Sequence, residues 1–199
     1  MILSDREIQA AIDSGLIHIE PKPDARLLTS TAIDLTLDAT LLGWKAKVAG
    51  GEPRSVHPAK AGFDIGMMMQ EAELAERIPI PESGYALEPW SFVLGYTAQK
   101  ICLRRESRIA ARIEGKSSLA RLGVGVHVTA PTIHGGFGHT AVDRGDVGLP
   151  IQLEIFNLGP FRVHLAAGMP ICQLILEEIR ETPMQGYRGR FSEQQTFRG

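Results

Sequence analysis

From residue 84 to residue 179 the sequence keeps returning to one pattern, a short apolar, often β-branched run cut off by glycine, proline or charge. GYALEP, SFVLGYTAQKICL, SRIAARIEG, LPIQLEIFNLG, FRVHLAAG and MPICQLILEEI all read as strands. So many short strands with so few helices predict a mainly β chain folded as a sandwich or barrel. TAIDLTL (31–37) alternates in the same way, and IHIE (17–20) precedes a turn through Pro21 and Pro23. Helical signals are sparse. Ser4 and Glu7 have the spacing of a capping box, with Ile8, Ala11 and Ile12 on one face until Gly15, which predicts a short N-terminal helix. A second short helix is expected over 71–78 (EAELAERI), and a long surface loop over 49–62.

The chain has 199 residues, 44% of them hydrophobic, enough for a full core, and we expect one domain over 1–199 with a mobile tail over about 181–199. A net charge of -2 argues against a nucleic-acid partner bound along its phosphates. Cys102 and Cys172 lie far apart in apolar runs, which suits buried reduced thiols rather than a disulfide or a cysteine-ligated metal. With no signal-peptide pattern at the start and no run of about 20 apolar residues, the expectation is a cytoplasmic protein without a membrane partner.

The most conspicuous string is IEGKSSLARLGVGVHVTAP (113–131). Its GKS is not a phosphate-binding loop of the nucleotide triphosphatase kind, because that loop needs glycine five residues before Gly115 and position 110 is alanine. What remains is a tight turn at Gly115 and two serines, Ser117 and Ser118, placed to cap a short SSLARL helix whose free N–H groups would attract phosphate. An ordinary capped helix accounts for the segment equally well. Gly136–Ala141 has the letters of a dinucleotide fingerprint, but VDRGDVGLP after it cannot supply the helix. None of the six histidines has the spacing of a zinc site. In PIQLEIFN, alternation puts Ile151, Leu153 and Ile155 on one face and Gln152, Glu154 and Phe156 on the other. A lone strand glutamate is more often solvated than catalytic, and Arg121 in a short helix is more often a surface charge.

Taken together, GKSSLARLGVGVHVTA, STAIDLTL, LPIQLEIFN, LAAGMPICQLILEEI and the opening MILSDREIQAAIDSGLIHIEPKP resemble the dCTP deaminase and dUTPase superfamily over nearly the whole chain, dCTP deaminases in particular. The resemblance implies a distorted, jelly-roll-like β-barrel of the dUTPase-like β-clip type, assembled as a homotrimer with sites between subunits. It implies hydrolytic deamination of dCTP to dUTP and ammonia, with Glu154 as general base and Ser117 and Arg121 orienting water, base and pyrimidine. Backbone carbonyls of Val128 and Ala130 would hold the water and the amino group. Lys116 and Ser118 would serve the nucleotide, and RFSEQQ resembles the tail that closes over the phosphates, which brings in Tyr187, Arg190 and Gln194. Magnesium would arrive only on the triphosphate. No zinc is expected, since the H-x-E and P-C-x-x-C signature of zinc deaminases is missing. A carboxylate in a desolvated pocket and well-placed donors can carry such chemistry without metal.

Three departures stand out. Lys116 replaces the family's arginine before the two serines, keeping charge but losing a forked grip. His134 stands where the family has the aspartate that meets the sugar 3′-hydroxyl and, in dUTPases, activates water, so dUTP hydrolysis is put in doubt more than deamination. HTAVDRGDVG (139–148) is longer than the family norm; it is either a surface excursion or a source of a replacement carboxylate in Asp143 or Asp146. A dUTP diphosphatase, a bifunctional enzyme acting on dCTP and dUTP, and an inactive nucleotide-binding trimer are the alternatives, and inhibition by dTTP stays open.

Overall fold

The computed structural model describes residues 1–47, 51–126, 130–139 and 148–184. Helix α1 (Asp5–Asp13) starts where its capping box dictates: the Ser4 amide donates to the Glu7 carboxylate at 2.7 Å while the Glu7 amide reaches Ser4 Oγ at 3.5 Å. Ile8 and Ala11 face the core. Twelve strands follow in chain order: β1 (Ile17–Glu20), β2 (Ile33–Thr36), β3 (Thr40–Trp44), β4 (Ala75–Pro79), β5 (Tyr85–Leu87), β6 (Ser91–Leu103), β7 (Ile109–Gly115), β8 (Val124–Val126), β9 (Thr132–Ile133), β10 (Leu149–Asn157), β11 (Val163–Leu165) and β12 (Pro170–Glu178).

The long strand β6 organises the larger sheet, β4-β3-β6-β10-β8, with β1 paired to its C-terminal half. A second sheet runs β2-β12-β7-β9, and β11 and β5 form a small ribbon. Every pairing between these strands is antiparallel. Leu35, Leu174 and Ile113 from one sheet and Ile101, Leu153 and Ile155 from the other enter one continuous core. The expected mainly β architecture is present, as packed sheets that do not close into a continuous barrel among the described residues.

The helix expected over 71–78 does not form. Ala75–Pro79 is β4, and the helical turn falls earlier, at α2 (Ile65–Met68), where the Asp64 carboxylate accepts from the Gly66 and Met67 amides at 2.8 and 3.2 Å. The free edge of β3 offers that segment a ladder, with Leu42 opposite Arg77, and Ala75 packs with Leu42 and Leu94; these tertiary gains outweigh local helix propensity. Both cysteines are buried and unbridged.

The ends of the 139–148 stretch meet β6 at one residue. A Cβ on Gly138 would lie 2.1 Å from the Ile101 carbonyl oxygen, and one on Gly148 would lie 2.9 Å from the Ile101 carbonyl carbon. Only glycine permits that approach on both sides. Asp143 and Asp146 lie outside the described residues.

Candidate functional site

The strand that carries Glu154 is bent on its way into the sheet. Its pairing with β6 shifts register between Pro150 and Gln152, and the Ile151 amide at the irregularity is taken by Thr97 Oγ1 at 2.9 Å. Beyond it the alternation is regular: Leu153 and Ile155 are buried, while Gln152, Glu154 and Phe156 are partly exposed on the opposite face, as the sequence pattern predicts. Glu154 sits opposite Leu94 of β6, with its Oε2 buried.

Glu154 and Gln152 open into a cleft of about 450 Å³. Phe92 and Leu94 of β6 form one wall, Ala130, Thr132, Ile133 and His134 another, and Trp44, Ile65, Met69, Phe137 and Ile151 complete it. An apolar lining with a few convergent polar groups is the usual make-up of a small-molecule site. Glu154 is the one carboxylate among the described residues lining it. Gln152 Nε2 donates to Tyr96 Oη at 3.2 Å. Burial pushes the Tyr96 phenol up to about 12, with the Gln152 hydrogen bond opposing, so the hydroxyl stays protonated through the neutral range.

The second group of sequence-predicted residues sits elsewhere. β7 runs through Gly115, and α3 (Ser117–Ala120) begins immediately after it, so Lys116 takes the N-cap position without a capping side-chain bond. Ser117 and Ser118 therefore do not cap the helix as expected; they are its first residues, both exposed, as is Arg121 just beyond it. Lys116 turns away to form an ion pair with Asp34 of β2, whose other oxygen accepts from Gln173 Nε2 at 3.0 Å. Within one chain, then, Glu154, Ala130 and His134 share the cleft, and Lys116, Ser117, Ser118 and Arg121 are not among its lining residues. Val128, Tyr187, Arg190 and Gln194 lie outside the described residues. Sequence reasoning passed over Phe92, Gln152, Met69 and Trp44 as site residues. Only Gln152 carried a signal, being two positions before Glu154 on the same face; the others come from segments far away in the chain.

Trp90, Leu158, Phe161 and Leu122 are all exposed. They lie close together along the chain path, because the Trp90 amide donates to Asn157 O at 2.7 Å, Asn157 Nδ2 donates to Phe161 O at 2.7 Å, and the Leu158 amide donates to Gly123 O at 2.9 Å. Among the described residues no three His, Cys, Asp or Glu side chains gather as a metal site, and no helix is long and apolar enough to cross a membrane.

Comparison with known proteins places these features in a family. The family model described as dCTP deaminase-like matches residues 2–179. A dCTP deaminase of Rhodospirillum rubrum is 32% identical over 188 residues, covering 94% of this chain and 87% of its own. A dUMP-forming dCTP deaminase of Corynebacterium diphtheriae is 34% identical over 178 residues, covering 88% of this chain and 81% of its own. Among solved structures, the 2′-deoxycytidine 5′-triphosphate deaminase of Agrobacterium tumefaciens superposes with a TM-score of 0.62 at 18% identity, over 88% of this chain and 47% of that one, a likeness of fold.

Proposed function

The chain belongs to the dCTP deaminase-like family, and from that premise we propose that it hydrolyses dCTP to dUTP and ammonia without zinc, using Glu154 as general base. The observation that carries the reading is the placement of Glu154, the one described carboxylate in a largely apolar cleft, beside Gln152, Ala130 and His134. Glu154 takes a proton from water as the oxygen adds to C4 of cytosine. The C4–N3 π electrons move to N3 on addition; Glu154 then returns the proton to the exocyclic nitrogen, the C4–N bond breaks to release ammonia, and the proton of the added hydroxyl passes to N3 as the C4 carbonyl forms. Carbonyl oxygens of Val128 and Ala130 hold the water and the amino group, and His134 meets the sugar.

Ser117, Ser118 and Arg121 complete the site from a neighbouring subunit of a homotrimer. Their exposure, their separation from the Glu154 cleft and the adjacent apolar cluster of Trp90, Leu122, Leu158 and Phe161 support that arrangement. Magnesium enters on the triphosphate and screens its charge, and Tyr187, Arg190 and Gln194 serve the phosphates, while Lys116 is held by Asp34. The enzyme acts in the cytoplasm, in supply of pyrimidine deoxynucleotides.

A second reading, continuation to dUMP, is favoured by relatives that carry that name. Against it stands His134, which replaces the water-activating carboxylate, with no second carboxylate among the described residues of the cleft. Supplying dUTP alone decides between them. A deaminase that stops at dUTP leaves it intact, whereas release of dUMP and pyrophosphate would establish the second reading.

A further inference from the structure

A second, larger cavity of about 680 Å³ adjoins the Glu154 cleft, with Trp44 and Ile65 lining both. Its apolar side is made by Trp44, Phe63, Met68 and Leu74, all only partly buried. Across from these the 51–62 loop contributes Arg54, His57 and Lys60, all exposed, and no carboxylate is among the described lining residues. Arg54 and Lys60 form no ion pair with any described residue; their hydrogen bonds, to Ala46, His57 and Phe63, are made by the backbone. Glu52, two residues before Arg54, is exposed and outside the lining, and Asp64 is committed to the Gly66 and Met67 amides.

We propose that this cavity binds a second nucleotide, its base against Trp44 and Phe63 and its phosphates on Arg54 and Lys60. Planar aromatic side chains offer stacking and apolar contact to a nucleobase, and uncommitted cations offer charge-assisted bonds to phosphate oxygens. The volume is in the range of small-molecule sites. A single strand of nucleic acid would use the same residue types, but the net charge of -2 gives it no extended basic track. Because Trp44 and Ile65 belong to both walls, the proposed site abuts the Glu154 cleft.

The test is equilibrium dialysis with radiolabelled dUTP and, separately, ATP on the full chain, compared with the Arg54→Ala/Lys60→Ala double variant. Both substitutions fall on exposed side chains, so the fold is retained, which circular dichroism verifies. Two classes of nucleotide site per chain are expected, one of them weakened at least about tenfold in the double variant and the other unchanged. Inorganic tripolyphosphate should bind the second class more weakly than either nucleotide, since it has nothing to place on Trp44 and Phe63. One site per chain that the double variant leaves intact, equal affinities in wild type and double variant, tripolyphosphate as tight as nucleotide, or tighter binding of a short single-stranded oligonucleotide would each overturn the proposal, whereas a single site lost in the double variant would uphold it and count against nucleotide binding in the Glu154 cleft. The readout is binding, so it stands or falls independently of dCTP turnover.

Discussion

Gly159 and Gly123 meet backbone to backbone: a Cβ on Gly159 would lie 1.8 Å from the Leu122 carbonyl oxygen and 3.1 Å from Gly123 Cα. The contact ties the end of the Glu154 strand to the turn after α3, and the Leu158 amide completes it by donating to Gly123 O at 2.9 Å. The bond between these two segments thus fixes where Ser117 and Arg121 stand relative to their own chain. Gly159→Ala must push backbone against backbone. A loss of about 2 kcal/mol, at the level of core overpacking, is expected as a thermal midpoint several degrees lower. Gly168→Ala is the control: its positive φ of +77° carries strain, but nothing lies within 4 Å, so its cost should stay near ~1 kcal/mol.

Tyr96 sets an alkaline limit to stability. Its phenol has an ordinary value of 10.0 and is raised by burial to about 12 in the folded chain, so the unfolded state loses the proton first. The stabilisation is complete below the unfolded value and is lost as pH rises through the folded one. Urea midpoints should fall between about pH 10 and pH 12, and the fall should be shallower in Tyr96→Phe. An identical alkaline slope in the variant would show that other groups control it.

Lys116 and Asp34 are both mostly buried, with 20% and 13% of their side chains exposed. Asp34→Ala leaves the ammonium without its partner, at an expected cost of about 3 kcal/mol, whereas the paired change Asp34→Leu/Lys116→Met should recover much of the loss. Chemical denaturation of the single and double variants measures the difference. Equal losses would show that the stranded ammonium is not the source of the cost.

If Ser117 and Arg121 act on a neighbour's Glu154, two dead variants can repair each other. Glu154→Gln and Arg121→Ala homo-oligomers should each be inactive on dCTP, and mixed, refolded subunits should regain a fraction of wild-type turnover. Mixtures as inactive as their parents would place both residues in a single-chain site.

Cys172 is held in its thiol form by burial, which pushes its ionisation up. Both cysteines should resist alkylation at neutral pH in the native protein and react once it is unfolded, as mass spectrometry would record. Rapid native modification would contradict the buried placement.

Much of this fold was legible because one periodicity wrote it. The strand SFVLGYTAQKICL is β6 over its whole length, and the alternation in PIQLEIFN gives the face on which Glu154 projects. The Ser4–Glu7 spacing located α1 for a purely local reason. What failed depended on neighbours: the 71–78 segment became β4 because β3 offers it an edge, and Lys116 displaced the serines from the cap because β7 extends to Gly115. The cleft wall was hidden for the same reason. Trp44 and Phe92 join Glu154 in the cleft through sheet order, and Met69 through the turn at the end of α2, none of which a local pattern encodes.

The most direct measurement incubates the protein with dCTP and magnesium, follows ammonia and resolves the nucleotides chromatographically, for wild type and Glu154→Gln. The account predicts equal amounts of ammonia and dUTP from wild type, unaffected by a zinc chelator, and a loss of at least about a hundredfold in Glu154→Gln with nucleotide binding retained. Undiminished deamination by Glu154→Gln, or binding of dCTP by the wild type without ammonia release, would contradict it.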